Sequence, residues 1–200
     1  MNEIRNICIF ASSSARLEKQ YYELAQRLGE EIAKIGAGLI FGGGREGLMG
    51  AAARGAISRG GRVTGVIPRL LNQPGIAYPD LAELHETETM HARKQMMEEL
   101  SDAFIALPGG FGTLEEVLEV ITLRQLGYHD KPVVLLNAGG FFDPLLEQFE
   151  RLYAEAFAHT AFRSLYAVAH TPEEAVRLSR IQSAEARPDK LSMQRTEDAV

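Results

Sequence analysis

Short apolar runs alternate with amphipathic stretches along most of the chain. The apolar runs predict strands at residues 7–10, 38–41, 63–67, 84–87, 104–107, 133–136 and 165–169. The stretches between them predict helices, which include one ending near residue 35, an alanine-rich one after residue 50, a glutamate-rich one after residue 113, and others at 91–100, 143–157 and 172–180. Continuous apolar strands alternating with helices are typical of a parallel sheet covered on both faces. The pattern therefore predicts one doubly wound α/β domain, with ligands at the carboxyl ends of the strands.

Composition narrows the classes of partner. The 200 residues suit a single domain, predicted at 1–182, and the polar, non-periodic residues 183–200 predict a mobile tail. A net charge of -6 without a long basic run argues against nucleic acid as a partner. The lone cysteine, Cys8, excludes an internal disulfide and fits a reducing compartment. The short apolar run beside Glu3 and Arg5 predicts neither a signal peptide nor a membrane span, so we expect a cytoplasmic protein with no membrane partner.

The first of two glycine-rich loops, "GGGREG" at residues 42–47, follows a predicted strand and precedes a predicted helix. Its spacing matches the dinucleotide-binding fingerprint, but the next strand ends in Pro68 and Arg69 without the acidic residue that would hold a ribose. A tight turn without a ligand and a dinucleotide site both stay open. The P-loop pattern Gly-x4-Gly-Lys-Ser/Thr is absent from the sequence, which argues against that kind of ATPase.

The second loop, "LPGGFGTLEE" at residues 107–116, leads from a predicted strand into a predicted helix. A helix N-terminus after a glycine loop favours an anion, because its first N–H groups and its dipole both attract negative charge. Two interpretations are open. Thr113 and Glu116 could form a capping box, in which each side chain bonds a backbone N–H group. Alternatively, the backbone and Thr113 could hold a phosphate while a carboxylate faces a reacting carbon nearby.

Two cations, Arg93 and Lys94, lie in the first turn of a predicted helix, where the helix dipole does not stabilise positive charge. Arg93 falls among the methionines of one broad helix side. It could extend over apolar surface with its head in water, as arginines commonly do. A carboxylate or anion partner is the other explanation, and a functional role remains open.

The segments "GGGREGLMG", "MHARK" and "PGGFGTLEE", in this order and spacing, resemble the Lonely Guy family of cytokinin riboside 5′-monophosphate phosphoribohydrolases, which are often mislabelled as lysine decarboxylases. The resemblance runs from about Ile7 to about Leu178. It implies a Rossmann-like, nucleotide-binding catalytic domain, a homodimer, and no metal or organic cofactor. The implied substrate is an N6-modified adenosine 5′-monophosphate, which is cleaved at its N-glycosidic bond to the free base and ribose 5-phosphate.

The resemblance also implies the site residues. Arg93 and Glu116 match the catalytic arginine and glutamate, and Arg93 would either hold Glu116 ionised or contact the phosphate. The substrate-binding set comprises these two residues with Ser13, Ser14, Gly43, Gly44, Met90, Lys94, Gly109, Gly110, Phe111, Gly112, Thr113, Leu114, Glu115 and Thr122. Loss of the base leaves an oxocarbenium-like ribose, which a carboxylate stabilises while it orients or deprotonates water.

This chain departs from the family pattern at three places, of which the least important is Thr89, where many relatives have serine or aspartate. The loop after the first strand reads "ASSS" where Cys-Gly-Ser-Ser is usual, and "QPG" at residues 73–75 replaces a Pro-Arg-Glu segment, which leaves the preferred base open. Whether the role is cytokinin production or nucleotide turnover is also open. A non-catalytic nucleotide or molybdenum-cofactor carrier is the alternative. A pyridoxal-phosphate decarboxylase is disfavoured, because a Ser-x-His-Lys-type cofactor lysine is absent from the sequence. His91, His129 and Cys8 lack ligand spacing, so we expect no metal.

The glutamate-rich helix is apolar on two sides. Leu114, Val117, Leu118 and Ile121 are predicted to pack on the sheet, and the far side carries Val120 and Leu123. Because each apolar face must be buried, the far side predicts a second copy of the chain as partner, and coverage by a neighbouring helix of the same chain is the alternative.

Overall fold

The computed structural model describes residues 4–79 and 81–181 and shows a seven-stranded sheet whose strand order is β4-β3-β2-β1-β5-β6-β7. The strands are β1 Asn6–Phe10, β2 Gly38–Phe41, β3 Val63–Pro68, β4 Glu83–Thr87, β5 Ala103–Ala106, β6 Val133–Leu136 and β7 Ala167–Ala169. Each neighbouring pair is parallel. The predicted doubly wound α/β class is confirmed. The predicted tail at 183–200 lies outside the described residues.

Among the described residues, five α-helices lie between strands, namely α1 Lys19–Lys34, α2 Gly47–Ser58, α3 Met90–Glu99, α4 Phe111–Gln125 and α5 Asp143–Ala154, and α6 Pro172–Ile181 follows β7. Short 3-10 turns occur at Arg69–Leu71, Ala138–Gly140 and Thr160–Leu165. Within the part of the chain that the structure describes, none of the helices combines the length and apolar character that crossing a bilayer requires.

Side chains of each strand point alternately to the two faces of the sheet, so each face has its own core. In β1, Ile7 and Ile9 join the core covered by α1, α2 and α6, whereas Cys8 and Phe10 join the core covered by α3, α4 and α5. The strand order reverses between β1 and β5, because the chain builds outward from β1 to β4 and then returns to the other side. In open α/β sheets, ligands bind at such a switch point.

Helices α1 and α2 touch through their backbones. A Cβ atom at Gly29 would lie 1.9 Å from the carbonyl oxygen of Ala52, and one at Gly55 would lie 2.0 Å from that of Gln26. Both positions therefore need glycine for close approach rather than for backbone conformation. The contact fixes α2, and with it the loop that precedes it, against the first half of the sheet.

The start of α4 differs from the predicted capping box. The helix begins at Phe111, and Gly110 occupies the N-cap position without a side-chain capping bond. Thr113 is thus already inside the helix, and the side chain of Glu116 is directed to Arg93 instead of its own backbone. The capping-box interpretation is wrong, because the glycines before Phe111 let the helix start earlier than the threonine signal indicated.

The buried face of α4 also differs from the prediction. Val117 and Ile121 are buried as expected, but Val120 is buried with them, and Leu118 is 39% exposed. The reason is that this face includes polar residues. Arg124 is buried and its Nη1 donates to the carbonyl of Leu165 at 2.6 Å, so a purely apolar stripe does not describe the packing.

Candidate active site

A cleft of about 710 Å3 opens at the carboxyl ends of β1, β2, β3 and β5, on the switch point of the sheet. Three of its walls come directly after strands. The loop after β1 contributes Ser13 and Ser14, the loop after β2 contributes Gly42 and Gly44, and the first residues of α4 follow β5. The predicted location of the site, at the strand ends, agrees with this cleft.

The central feature of the cleft is an ion pair between Arg93 of α3 and Glu116 of α4. Nη1 of Arg93 lies 2.9 Å from Oε1 of Glu116, and the side chains are only 11% and 10% exposed. Arg93 is further held by the carbonyl of Val66, to which its Nε donates at 3.3 Å, and by the sulfur of Met90, 3.2 Å from Nη1. The guanidinium therefore joins the end of β3 to the first turns of two helices.

Burial determines the protonation behaviour of Glu116. It raises the pKa of this carboxyl above the ordinary 4.5, while the charge and hydrogen bond of Arg93 offset the rise only in part. Glu115 raises this pKa slightly further, and Lys94 lowers it. A carboxyl with a raised pKa beside a fixed cation is suited to accepting a proton, because its basicity is higher than that of an exposed glutamate.

The N-terminus of α4 forms the second part of the cleft. Gly110, Phe111, Gly112 and Thr113 line the cleft, and the first N–H groups of a helix have no partner within the helix. Gly109 supports this turn, because a Cβ atom there would lie 2.1 Å from Oγ1 of Thr113. The turn can hold an anion with its N–H groups, its dipole and the threonine hydroxyl.

The N-terminus of α2 is used differently. The backbone N–H groups of Leu48 and Met49 both donate to the carbonyl oxygen of Ser12, at 2.8 and 3.5 Å. Gly47 has a φ of 64°, and a Cβ atom there would lie 2.4 Å from that same oxygen. The "GGGREG" loop is thus a turn bound to the loop after β1. The dinucleotide interpretation loses the helix N-terminus on which it depended.

The remaining wall is apolar. Ile67, Leu71, Ile76 and Met90 line the cleft beyond the ion pair, and Met49 contributes from α2. The segment that carries Ile76 is attached to the loop after β2 by two backbone bonds, from Arg45 N–H to the Ile76 carbonyl at 2.9 Å and from Tyr78 N–H to the Gly43 carbonyl at 2.8 Å. The altered "QPG" segment therefore belongs to this wall through Gly75.

Most of the residues that the sequence indicated do line the cleft. They are Ser13, Ser14, Gly44, Met90, Arg93, Gly110, Phe111, Gly112, Thr113 and Glu116. Gly42, Met49, Ile67, Leu71 and Ile76 were missed. Their only signal was position, since they stand at or just after the ends of predicted strands or in the loop that follows.

Six indicated residues are outside the described lining of this cleft, namely Gly43, Lys94, Gly109, Leu114, Glu115 and Thr122. Lys94 points to the outer side of α4, where its Nζ bonds Glu115 and lies 2.8 Å from Glu119. Thr122 donates to the carbonyl of Leu118 at 2.7 Å. A role of these residues in substrate binding stays a prediction.

Neither a metal centre nor a Schiff-base lysine is indicated by the donor groups. Across residues 4–79 and 81–181, histidine, cysteine, aspartate and glutamate side chains do not gather in threes as a metal ion would need. The described residues that line the cleft include arginine and glutamate but not lysine. Cys8 lies buried beneath the site, and burial raises the pKa of its thiol.

The fold and the cleft define a Rossmann-like α/β protein with an anion-binding helix N-terminus beside a buried carboxylate. Residues 49–178 match the family described as "Possible lysine decarboxylase". The chain is 44% identical over 176 residues to a protein of Oryza sativa subsp. japonica named probable cytokinin riboside 5′-monophosphate phosphoribohydrolase, a match covering 88% of this chain and 72% of the relative. A cytokinin riboside 5′-monophosphate phosphoribohydrolase of Rhodococcoides fascians is 43% identical over 173 residues, with 86% and 87% covered. The chain therefore belongs to the Lonely Guy family, which includes these two phosphoribohydrolases and is the family that the lysine decarboxylase description covers.

Solved structures of similar fold have a different named role. The molybdenum cofactor carrier protein of Chlamydomonas reinhardtii superimposes with a TM-score of 0.67 at 26% identity, over 92% of this chain and 100% of that chain. The molybdenum cofactor binding protein of Rippkaea orientalis gives a TM-score of 0.67 at 25% identity, over 90% and 98%. Sequence identity is therefore lower to these carriers than to the two phosphoribohydrolases.

Proposed function

We propose that this protein hydrolyses the N-glycosidic bond of adenosine 5′-monophosphate or its N6-modified forms and releases the free base and ribose 5-phosphate. The observation that carries the proposal is the buried Arg93–Glu116 pair, which lies in one cleft with the N-terminus of α4. The two parts suit the two ends of such a substrate, because one favours an anion and the other favours a developing cation.

In the proposed reaction the 5′-phosphate binds at the first turn of α4. The N–H groups of this turn and the hydroxyl of Thr113 donate to the phosphate oxygens. The ribose then extends toward Glu116, and the base lies against the apolar wall of Ile67, Leu71 and Ile76. Carbon chains on N6 of the base are compatible with this wall, because it presents apolar side chains.

The chemical step breaks one bond and forms another. The C1′–N9 bond breaks with its electron pair remaining on the base, while a water oxygen bonds to C1′. Glu116 stabilises the positive charge on the ribose and takes one proton of the attacking water, whose oxygen and other proton become the C1′ hydroxyl. The departing base takes up a proton from solvent at a ring nitrogen, and Glu116 returns its proton to solvent. Arg93 keeps Glu116 ionised and oriented, because its guanidinium bonds the carboxylate and is itself fixed by Val66 and Met90.

Two other functions fit the residues less well. A carrier of similar fold would need an anion site but would have no use for a buried glutamate paired to an arginine in the cleft. A pyridoxal-phosphate decarboxylase needs a lysine that bonds the cofactor, and the described lining of the cleft holds none. Lys94, the nearest by sequence to the catalytic pair, is instead held by Glu115 and Glu119.

We also propose a cytoplasmic homodimer. Phe111 is 94% exposed at the start of α4, and Leu118 on the same helix and Tyr128 just after it are exposed as well. These side chains are apolar or aromatic, and a second copy that covered them would bury this surface.

The proposed cytoplasmic location is supported by the lone buried cysteine, which fits a reducing compartment.

The proposal is tested by incubating the protein with AMP, an N6-alkylated AMP, GMP and CMP, and by measuring the free base and ribose 5-phosphate together. We expect equal amounts of the two products from an adenine nucleotide, and loss of both in the Glu116→Gln variant. Binding of nucleotide without release of base would favour the carrier. Release by Glu116→Gln at the wild-type rate would indicate a contaminating enzyme or another mechanism.

A further inference from the structure

Gly42 is the first residue after β2 and lines the cleft, yet its own backbone does not require glycine. The described glycines with positive φ are Gly36, Gly43, Gly47, Gly60, Gly75, Gly127, Gly139 and Gly140, and Gly42 is not among them. An alanine could therefore adopt the backbone conformation at residue 42 without the strain that a left-handed residue suffers. Another constraint must explain the glycine.

That constraint is the guanidinium of Arg93. A Cβ atom at Gly42 would lie 2.1 Å from Nη2 of Arg93 and 3.1 Å from its Cζ. The next nearest atom is the sulfur of Met49, at 3.2 Å. Since real Cβ atoms do not approach other heavy atoms to 2.1 Å, an alanine would push the guanidinium away from β2.

The guanidinium has little freedom to absorb such a push. Its Nε donates to the carbonyl of Val66 at 3.3 Å, its Nη1 lies 2.9 Å from Glu116, and the sulfur of Met90 lies 3.2 Å from the same nitrogen. A planar, rigid group with contacts on two edges cannot shift at Nη2 without moving the others. The missing side chain of residue 42 thus sets the position of the ion pair.

We propose that Gly42 is a positioning residue of the hydrolase, whose missing side chain provides the space in which the guanidinium of Arg93 packs and thereby holds the carboxylate of Glu116. The inference rests on the proposed function for its catalytic meaning. The packing itself can be tested without any turnover. In this proposal Gly42 acts only by positioning Arg93 and does not itself contact the substrate.

The decisive experiment is a double-mutant cycle measured by thermal unfolding at one protein concentration. Gly42→Ala is made in the wild type and in Arg93→Ala, with Arg93→Lys as a second background that also lacks Nη2. We expect Gly42→Ala to lower Tm in the wild type. In the two Arg93 variants it should leave Tm unchanged or raise it, because an alanine there only restricts the unfolded chain. An equal fall in Tm in all backgrounds would overturn the proposal, whatever the enzyme's substrate.

Gly44→Ala is the matched control for this cycle. Gly44 lies in the same loop, its φ is not positive, and a Cβ atom there would meet Cε of Met49 at 3.2 Å and the carbonyl of Ile76 at 4.0 Å, but no atom of Arg93 within 4 Å. Its effect on Tm should be the same with and without Arg93. A coupling to Arg93 as large as that of Gly42 would show that any methyl group in this loop disturbs the pair.

Turnover gives a second readout. Displacing a catalytic pair by about 1 Å can cost about 10²-fold, so Gly42→Ala should lower kcat by that order while KM for AMP changes little. The titratable groups that interact electrostatically with Glu116 are Arg93 and Lys94 from α3, Glu115 from α4 and Cys8 from β1. With the guanidinium withdrawn, the acid limb of kcat should move to higher pH. A lower kcat with an unmoved limb would contradict the positioning role.

Discussion

The side chains of Arg93 and Glu116 form a nearly buried ion pair across two helices, 2.9 Å apart at Nη1 and Oε1. Removing one partner of a buried pair leaves the other without its counter-charge, and this is costly. Substitutions that keep the shape are therefore more informative than truncations. Glu116→Gln also leaves the guanidinium of Arg93 without its counter-charge, but it keeps the side-chain volume and an oxygen that can accept from Arg93, which Glu116→Ala would not.

Glu116→Gln should fold and bind AMP but lose turnover. Glutamine keeps the size of the side chain and removes the charge that faces the ribose, and general-base action alone typically contributes about 10²–10⁴-fold. We expect kcat to fall by at least that factor, with AMP affinity, measured by calorimetry, almost unchanged because the helix N-terminus holds the phosphate.

Glu115→Gln is the comparison, since Glu115 is adjacent in sequence but bonds Lys94 away from the described lining of the cleft. The fold-decrease in kcat caused by Glu115→Gln should be at least about ten times smaller than the fold-decrease caused by Glu116→Gln. The reverse order, with Glu115→Gln the more damaged variant, would mean that the wrong carboxylate has been assigned.

The acid limb of the pH–rate profile should lie above pH 4.5. Burial raises the pKa of Glu116 above the ordinary 4.5, and turnover needs the ionised form, so activity is lost on acidification before an exposed glutamate would be protonated. Measuring kcat for AMP between pH 4 and 8 locates this limb. A limb at or below pH 4.5 would assign the essential ionisation to another group.

The raised pKa of Glu116 also makes the stability of the folded protein depend on pH. Because the folded protein raises this pKa, the contribution of Glu116 to stability is fully present below pH 4.5 and is lost as the pH rises through the raised value. Glu116→Gln should flatten that part of the stability curve, as measured by urea unfolding at a series of pH values. An unchanged slope would mean that the pKa is not raised in the folded state.

The phosphate should contribute most of the preference for AMP over adenosine. Charge-assisted hydrogen bonds are worth about 1.5–3 kcal/mol each, so adenosine should be cleaved far more slowly. Gly109→Ala should reduce kcat/KM for AMP and leave that for adenosine nearly unaltered, since a Cβ atom would meet Oγ1 of Thr113 at 2.1 Å and distort the turn. An equal reduction for both substrates would show that the turn does not act on the phosphate.

Leu118→Asp should convert the proposed dimer to a monomer. Leu118 is exposed on α4, so a charge there should leave the fold intact and oppose burial against a second copy. Phe157→Asp is the control, because Phe157 is exposed beyond the end of α5 and does not belong to α4. Sedimentation velocity at micromolar concentration should separate the two variants. A monomeric wild type would contradict the dimer.

The strands and the site loops were predictable because their signals are local. Four apolar residues in β6 and a glycine loop after β5 can be recognised without any knowledge of their neighbours. The packing of α4 was not, because its buried face includes Thr113, Glu116 and Arg124, and polarity then no longer reports burial. Sequence periodicity assumes that polar residues face water, and a functional helix breaks that assumption.

Gly42 illustrates a second limit. A glycine next to two other glycines indicates a flexible turn, and its relation to Arg93 depends on β2 and α3 meeting in three dimensions. The partners of Lys94 were not named for a related reason. Its helical position suggested a carboxylate or anion partner, and the structure supplies two carboxylates of the next helix, Glu115 and Glu119.

Two walls of the cleft differ in how firmly the rest of the domain holds them, and this has a consequence for the order in which products leave. The carbonyl of Ser12 is bonded to the start of α2, whose helix is locked to α1, so the wall beside Gly47 can open only if much of the domain loosens. The wall with Leu71 and Ile76 is more exposed, and its backbone is linked to the loop after β2 through the isolated bridge between Gly44 and Ala77, so the amide hydrogens of this wall should exchange with solvent sooner. In the proposed reaction the base lies against this more easily opened wall, so the base leaves first and ribose 5-phosphate follows.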